Sequence, residues 1–366
     1  MIKKLIIFIP SIEGGGVEKN LFAISNYLSR YLNNTLLITS EKKFNKKFND
    51  IKLINPRIII RKFFGRKIKY FLCLIELVKI IIKNKNFVVL SFQANMYCSI
   101  VCKVFGIKII TRLNSSPSGW IKSYLKLKIF KQLLRLPNQI IVNSEQFKLE
   151  LKNKFSAQSN IIYNPLNKKE IINESRKKNN LRFFKKDYIN ILSIGRLVDQ
   201  KDHITLLKAL NLLKKDLKFK LLIIGDGKER NKLLNFIGRC GLNNNIKILK
   251  FQKNPYKFIK ICDLFVLTSK YEGLPNVLLE AATLKKSIIS SDCPTGPKEI
   301  LENGKGGLLF RVGDYKDLKN KILFFLHNPT QMNNMRIRTF NSLDKFDYIK
   351  NLKKYLLLVK KQLSYK

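Results

Sequence analysis

Short runs of β-branched and other apolar residues alternate along the chain with longer amphipathic stretches. The helical patterns Val17 to Tyr31 and Ile68 to Lys83 separate some of these runs. In the first half, the runs lie at residues 3–9, 35–39, 87–91, 107–111, 139–142 and 160–163. Strands that alternate with helices are typical of βα units around a parallel sheet, so the pattern predicts an α/β, doubly wound domain.

A polar, lysine-rich segment that starts at Asn164 interrupts this alternation. The alternation then resumes, with predicted strands at residues 189–194, 220–224, 246–249, 264–267 and 287–290. The last residues form one basic amphipathic helical pattern. We therefore predict an N-terminal domain over 1–165, a linker over 166–187, a second α/β domain over 188–343 and a C-terminal helix over 344–366.

Composition agrees with two folded domains. The chain has 366 residues, of which 45% are hydrophobic and 26% charged, so global disorder is excluded. The apolar run within residues 1–10 is short and leads into a glycine cluster, which indicates a first strand instead of a signal peptide. The most apolar long stretch, 87–110, is interrupted by polar residues and predicts no membrane-spanning helix.

Cysteine and histidine usage argues against disulfide and metal chemistry. The six cysteines form no CxxC pair, which indicates reduced thiols and a cytoplasmic protein. His203 and His327 are the only histidines, and no Asp-x-Asp signature occurs. We expect no metal and no bound cofactor.

The charge balance predicts an anionic partner. Lys and Arg number 71 and Asp and Glu 25, a net charge of +46. Residues 51–144 contain 18 Lys and Arg against one acid, Glu76. We expect binding to an anionic membrane surface. The alternative explanation is an AT-rich genome, which raises the lysine content without selection for function. Nucleic-acid binding is disfavoured, because the charge is spread over both halves and no nucleic-acid motif is present.

Several loops that follow predicted strands carry residues suited to a phosphorylated ligand. Gly14, Gly15 and Gly16 open the first long helix, where backbone amides can meet an anion. A third fingerprint glycine is missing there, so a nicotinamide dehydrogenase is disfavoured. In the second domain, Arg196 and Lys201 follow a strand and can hold a diphosphate together. His203 is interpreted as a helix-start residue.

Two glutamates flank the next strand-to-helix turn, Tyr271-Glu272-Gly273-Leu274-Pro275-Asn276-Val277-Leu278-Leu279-Glu280. Pro275 suits the first turn of a helix, which places Glu272 on the loop and Glu280 inside the helix. Carboxylates accept paired hydrogen bonds from sugar hydroxyls, and the amides of 273–277 can bind phosphate or sugar oxygens. A hydrolase carboxylate pair is the competing interpretation.

In this order, the motifs from Gly195-Arg196 to Gly313-Asp314 resemble a retaining nucleotide-sugar glycosyltransferase of family 4. The resemblance implies the GT-B fold, in which two Rossmann-like doubly wound domains face a central cleft and the C-terminal helix can return to the first domain. It implies a metal-independent transfer of a hexose or N-acetylhexosamine from a UDP-linked donor. The sequences of these motifs are most similar to those of bacterial members that build capsules, O-antigens and related glycans on polyprenyl-diphosphate carriers.

The resemblance also assigns roles to residues. It gives Arg196 and Lys201 to the donor diphosphate, Glu272 to the donor sugar and Glu280 to the ribose, with Arg196, Lys201 and Glu272 as the catalytic set. The remaining donor contacts are expected at Gly15, Gly16, Phe251, Gly273, Leu274, Asn276 and Val277.

The first domain is expected to hold a saccharide or lipid-linked saccharide acceptor, with the enzyme on the inner face of the cytoplasmic membrane. No histidine precedes His203, and the family often has one beside the reacting sugar. Arg112 or Asn114 is the local counterpart.

Other activities share parts of this pattern. A sugar-nucleotide epimerase or a phosphorylase on the same fold would need the same diphosphate site. A nucleic-acid-binding protein is a less favoured alternative, and a binding protein without activity would not need all four of Arg196, Lys201, Glu272 and Glu280.

Overall fold

A computed structural model describes residues 4–12, 15–48, 50–56, 65–119, 121, 123–179 and 181–364. The chain divides into two compact units. The first unit consists of Met1–Pro165 with Tyr348–Lys366, and the second of Leu166–Asp347. Both units are α/β and each contains one parallel sheet, as the alternation of apolar runs and amphipathic stretches predicts.

The first unit has a seven-stranded parallel sheet in the order β3-β2-β1-β4-β5-β6-β7. Successive side chains of a strand point to opposite faces. Leu5 and Ile7 therefore belong to one core layer, and Ile6 and Phe8 to the other. The strands are β1 Lys4–Phe8, β2 Leu36–Ile38, β3 Lys52–Ile54, β4 Phe87–Ser91, β5 Lys108–Arg112, β6 Gln139–Val142 and β7 Asn160–Ile161.

Five helices follow strands of this sheet: α1 Gly16–Tyr31, α2 Arg66–Lys83, α3 Asn95–Val104, α4 Tyr124–Leu133 and α5 Glu145–Phe155. Helices α2 and α3 pack against the layer that contains Ile6 and Phe8, and α1 packs against the opposite layer. Short 3₁₀ turns occupy Lys42–Lys47 and Pro117–Gly119.

The second unit has a six-stranded parallel sheet in the order β10-β9-β8-β11-β12-β13. The strand order reverses between β8 and β11, and ligands of open α/β sheets bind beyond the carboxyl ends of strands at such a point. The strands are β8 Ile189–Ile194, β9 Phe219–Ile224, β10 Ile246–Leu249, β11 Leu264–Leu267, β12 Ser287–Ser291 and β13 Leu308–Phe310.

The helices of this unit are α6 Lys168–Ser175, α7 His203–Leu213, α8 Arg230–Arg239, α9 Tyr256–Ile261, α10 Asn276–Thr283, α11 Pro297–Ile300, α12 Tyr315–His327 and α13 Pro329–Asn341. Three 3₁₀ turns lie at Asp199–Lys201, Glu302–Gly304 and Ser342–Phe346. Most predicted strands agree with the structure to within one or two residues. Strands β3 and β13 were not predicted.

Two predicted boundaries differ from the structure. The segment predicted as a linker, 166–187, contains helix α6 and belongs to the second unit. Helix α6 contacts α9 and α10, and it buries Ile171. The segment was predicted as a linker because its sequence is polar and lysine-rich. The C-terminal helix, α14 Tyr348–Ser364, begins four residues after the predicted start at 344 because a 3₁₀ turn precedes it.

Helix α14 belongs to the first unit, as the fold class anticipates. It packs on α1 and buries Leu352, Tyr355 and Val359 in that unit's core. All six cysteines are free, and all but Cys240 are buried. Among the described residues, no helix has the length and apolar character that a bilayer-spanning segment requires.

Candidate functional site

The loops that follow β8 and β9 pack backbone against backbone in the second unit. A Cβ atom on Gly225 would lie 1.9 Å from the carbonyl oxygen of Gly195, and one on Gly227 would lie 2.3 Å from that of Leu197. The Leu197 amide donates to the Asp226 carbonyl oxygen at 2.8 Å. Only glycine permits this approach. The glycines of this Gly-Asp-Gly turn therefore fix the loop that carries Arg196.

A similar contact joins the loops that follow β11 and β12. Gly296 has a φ of 68°, and a Cβ atom there would lie 1.9 Å from the carbonyl oxygen of Gly273. The Thr295 hydroxyl donates to the carbonyl oxygens of Glu272 at 2.7 Å and of Gly273 at 3.2 Å. The loop after β12 thus holds the loop that carries Glu272.

Lys201 and Glu272 form an ion pair between the loops after β8 and β11. Their side chains are 14% and 9% exposed. The Lys201 ammonium contacts Oε1 of Glu272, and the Ser269 hydroxyl donates to the same oxygen at 2.6 Å. Burial of two charges is costly, and hydrogen bonds of this kind compensate part of the cost. Lys201 and Glu272, which the sequence analysis assigned to different parts of the donor, therefore form one buried ion pair.

Arg196 has a different environment from Lys201. Its side chain is exposed, and its guanidinium makes one long contact of 3.5 Å with Oε1 of Gln200. Gln200 is held in turn by the Tyr271 carbonyl oxygen at 2.9 Å. Among the described residues, no carboxylate pairs with Arg196. Its guanidinium is accordingly available to an external anion beside the buried ion pair.

Helix α10 begins at Asn276, with Pro275 at the N-cap position and not inside the helix. The side chain of Pro275 makes no capping hydrogen bond. The first amides of a helix and its dipole attract anions, so the end of α10 beside Gly273 is suited to phosphate. Leu274 is buried, whereas Asn276 and Val277 are partly exposed. Glu280 lies one turn into α10 and is buried.

His203 lies near Lys201, whose charge acts on its imidazole. It is the first residue of α7, is buried, and its Nδ1 lies 3.4 Å from the Ser193 hydroxyl. Burial, and after it the positive charge of Lys201, lower the pKa of His203 to about 4. The imidazole is therefore neutral near pH 7 and adds no third positive charge to the site.

Phe251 lies on the loop after β10 and is 61% exposed. Its amide donates to Oδ2 of Asp226 at 2.8 Å, which joins this loop to the one after β9. An exposed aromatic ring at the carboxyl edge of a sheet offers a stacking surface for a planar base. The donor residues predicted in the second domain thus lie on loops at the carboxyl edge of one sheet and in helix α10.

The glycine loop of the first unit is partly described. Glu13 and Gly14 lie outside the described residues, Gly15 is the N-cap of α1, and Gly16 is its first residue. The Gly15 amide donates to Oε2 of Glu18 at 2.8 Å. A carboxylate therefore already accepts from the first amide of this loop, and an incoming anion would compete with Glu18 there.

Arg112 is a buried structural residue, 1% exposed. It donates to the Tyr355 hydroxyl at 2.8 Å, to Oδ1 of Asn164 at 2.7 Å and to Oδ1 of Asn114. Asn114 is partly exposed, and its amide donates to the Phe92 carbonyl oxygen at 2.8 Å. Of the two predicted acceptor-side residues, only Asn114 has a solvent-accessible side chain, and Arg112 orients it.

Sequence reasoning missed Ser269, Gln200 and Tyr355, which support the predicted residues. Their contacts join positions 3, 71 and 243 residues apart, respectively. Thr295 and Gly296 lay within a turn that the sequence singled out, but their contact with the Glu272 loop carried no sequence signal. Among the described residues, no three His, Cys, Asp or Glu side chains are grouped as a metal site would require.

Residues 173–341 match the family model described as glycosyl transferases group 1. An uncharacterized glycosyltransferase of Methanocaldococcus jannaschii is 32% identical over 246 residues, which cover 62% of this chain and 60% of that protein. A Campylobacter jejuni N-acetylgalactosaminyltransferase named for a diphospho-undecaprenol substrate is 32% identical over 171 residues, 46% of each protein. The chain therefore spans less than two thirds of these two relatives.

A second Campylobacter jejuni enzyme, named as a diNAcBac-PP-undecaprenol α-1,4-N-acetylgalactosaminyltransferase, is 25% identical over 341 residues, 89% of each protein. Among solved structures, Anabaena Alr3699/HepE in complex with UDP-glucose superposes with a TM-score of 0.81 at 18% identity, over 98% of this chain and all of that one. TarM superposes with a TM-score of 0.76 at 16% identity, over 100% and 99%. These superpositions show that the chain shares the two-domain Rossmann-like fold of GT-B glycosyltransferases.

Proposed function

We propose that this chain is a glycosyltransferase that moves a sugar from a nucleotide-diphosphate sugar to a saccharide acceptor. One observation carries the proposal. The exposed Arg196 lies on the same loop as Lys201, which pairs with Glu272, at the carboxyl edge of the second unit's sheet. This loop lies within the segment that matches the glycosyl transferase group 1 model.

The diphosphate is expected to bind the cations of this loop. A guanidinium forks onto two phosphate oxygens, and an ammonium acts as a compact point charge. Arg196 has no described carboxylate partner, so it can form such a fork without breaking an ion pair. Lys201 remains bound to Glu272 while it faces the phosphate, and the positive end of the α10 dipole faces the same loop edge.

Charge develops on the diphosphate as the sugar departs. Preorganised cations stabilise that charge without reorganisation, which is the largest contribution in many such reactions. We propose that Arg196 and Lys201 perform this role without a metal ion, and that Glu272 orients the donor sugar. We further propose a family 4 mechanism with retention of the anomeric configuration, in which the departing phosphate oxygen helps to remove the acceptor proton.

The remaining donor contacts follow from the same loops. We propose that Glu280 accepts hydrogen bonds from ribose hydroxyls and that the exposed ring of Phe251 stacks on the base. The superposed Anabaena Alr3699/HepE structure holds UDP-glucose, which supports UDP as the nucleotide. We propose a hexose or N-acetylhexosamine as the transferred sugar.

We propose a polyprenyl-diphosphate-linked saccharide as the acceptor. The support is that two Campylobacter jejuni relatives are named for undecaprenyl-diphosphate-linked substrates. A relative from Erwinia amylovora is named for amylovoran biosynthesis, at 26% identity over 82% of this chain. The enzyme would then act in the synthesis of a bacterial surface polysaccharide, capsule, lipopolysaccharide or related glycan. The partly exposed Asn114 is the first-unit residue that we assign to the acceptor.

The proposal is tested by product analysis with UDP-sugars in EDTA, with and without an undecaprenyl-diphosphate-linked saccharide. We expect UDP release that depends on the acceptor, and a product with the donor's anomeric configuration by NMR. A changed sugar nucleotide in the absence of acceptor would indicate an epimerase. Turnover that requires inorganic phosphate would indicate a phosphorylase, and either result would overturn the proposal.

A further inference from the structure

Helix α2 of the first unit presents apolar side chains to solvent. Ile68, Phe71 and Ile82 are exposed, and Phe71 is 64% exposed. Their spacing places them on one side of the helix, because residues three, four and seven apart share a face. The opposite side buries Cys73 and Leu77 in the core. Helix α2 is therefore apolar on both its buried and its solvent-facing sides.

The two helices beside α2 extend this surface. Helix α3 contacts both α2 and α4. The exposed apolar side chains are Tyr97, Ile100 and Val104 on α3, and Tyr124, Leu125 and Ile129 on α4; Val104 is 75% and Tyr124 84% exposed. We call these residues, with the three of α2, the α2–α4 surface. Single exposed apolar residues are common, but such a group on adjacent helices indicates an interaction site.

The same helices are strongly basic. Their exposed cations are Arg66, Lys67, Lys79, Lys83, Lys103, Lys126 and Lys128. The one acid on these three helices is Glu76, and Lys79 pairs with it at 2.8 Å. Cations and exposed apolar side chains therefore occur together on these three helices, and the helices have a net positive charge.

This combination fits a lipid surface better than a protein surface. The core of a protein–protein interface is depleted of lysine, because each buried ammonium must lose its hydration. At a bilayer, apolar side chains enter the boundary of the acyl chains, while the long lysine stems carry their charges back to the head groups. Anionic head groups then attract each cation that lies near them.

We propose that the α2–α4 surface docks the protein on an anionic bilayer. Phe71, Tyr97, Val104 and Leu125 would enter the head-group boundary, and the neighbouring lysines would contact lipid phosphates. The inference concerns a partner of the first unit, and it stands whether or not the second unit holds a nucleotide sugar.

Vesicle co-sedimentation of the full chain tests the proposal, with vesicles of phosphatidylcholine alone or mixed with phosphatidylglycerol. The test variant is Phe71→Ser/Tyr97→Ser/Leu125→Ser. The matched control is Tyr31→Ser/Leu149→Ser/Leu357→Ser, which removes equally exposed apolar residues from α1, α5 and α14 of the same unit. A charge variant, Lys126→Gln/Lys128→Gln, separates the electrostatic part.

We expect wild type to bind the anionic vesicles at least about tenfold more tightly than the neutral ones. The test variant should lose about tenfold or more, and the charge variant should lose affinity only for anionic vesicles. The control should bind as wild type does. All variants should keep the wild-type thermal shift with UDP, which separates loss of docking from misfolding and from failure of the donor site.

Three results would overturn the proposal. One is wild-type binding that is absent or equal on both vesicle types. Another is a test variant that binds as wild type does. The third is a wild-type dimer that the test variant converts to a monomer without any change in vesicle binding, which would assign the surface to a second copy of the chain.

Discussion

The ammonium group of Lys201 contacts the carboxylate of Glu272 and so joins the loop after β8 to the loop after β11. The two residues are 71 positions apart in the sequence. Their contact assembles the edge of the sheet at which a diphosphate would bind. We therefore expect stability and donor binding to depend on the same pair.

Removal of Lys201 should destabilise the protein. Lys201→Ala leaves the Glu272 carboxylate buried without its cation, which costs about 3–5 kcal/mol of unfolding free energy. The double variant Lys201→Met/Glu272→Gln should recover much of that loss while it remains inactive. Urea unfolding of both variants measures the free energies.

An exposed pair that joins the same two loops provides the control. Lys270 contacts Asp199 at 2.6 Å, with side chains 40% and 66% exposed. Lys270→Ala should cost less than about 1 kcal/mol because solvent screens the pair. Equal losses for Lys201→Ala and Lys270→Ala would contradict the structural role of the buried pair.

Thr295 should act on donor binding through the Glu272 loop. Thr295→Ala removes the hydroxyl that donates to the carbonyl oxygens of Glu272 and Gly273, a loss of about 1–2 kcal/mol. We expect a rise of roughly tenfold in KM for the nucleotide sugar, with a smaller change in kcat. Thr295→Ser keeps the hydroxyl and should restore KM. Identical kinetics for the two variants would show that the hydroxyl does not position the loop.

Gly225 should not tolerate a side chain. Gly225→Ala places a Cβ atom 1.9 Å from the Gly195 carbonyl oxygen, so the loop that carries Arg196 must shift. We expect a loss of about 1–3 kcal/mol of stability together with weaker UDP binding. The matched substitution is Gly238→Ala in α8, where a Cβ atom meets nothing within 4 Å. It should be neutral or stabilise by about 0.5–1 kcal/mol, because alanine favours a helix. Chemical denaturation of both variants measures the difference.

Stability should fall as the pH decreases from about 6.5 to 4. Burial lowers the pKa of His203 to about 4 in the folded protein, whereas an unfolded histidine titrates near 6.5. Between these values the unfolded chain binds the extra proton, so folding loses about 3 kcal/mol across that range and little more below pH 4.

Urea unfolding at pH 7, 5.5 and 4.5 measures this dependence. His203→Gln should flatten it, and His327→Gln, which alters the other histidine, should leave it as in wild type. A slope that persists unchanged in His203→Gln would assign the dependence to other groups.

Local patterns predicted the architecture well. Strands buried in a parallel sheet are short apolar runs, and helices that bury one face show an amphipathic period. The strands missed, β3 and β13, are three-residue strands at the edges of their sheets. The segment that forms helix α6 was predicted as a linker because its sequence is polar and lysine-rich, although the helix buries Ile171 and Ser175.

The candidate site was predicted only in part. Arg196, Lys201, Glu272 and Glu280 carried local signals, since each lies beside a strand end or a helix start. The bond from Arg112 to Tyr355 joins residues 243 positions apart, and no periodicity encodes it. Tertiary contacts of this kind decide which predicted residue is exposed and which is structural.

The central claim is that Arg196 and the Lys201–Glu272 pair bind a nucleotide diphosphate. The most direct measurement is a thermal-shift panel of UDP-, GDP- and ADP-sugars in EDTA, on wild type, Arg196→Ala and the exposed control Arg239→Ala. A ligand at about 100 times its Kd stabilises the folded protein by about 2.7 kcal/mol. We predict a shift with UDP-sugars in wild type and Arg239→Ala that Arg196→Ala loses. An unchanged shift in Arg196→Ala, or a shift with nucleic acid but with no nucleotide sugar, would contradict the account.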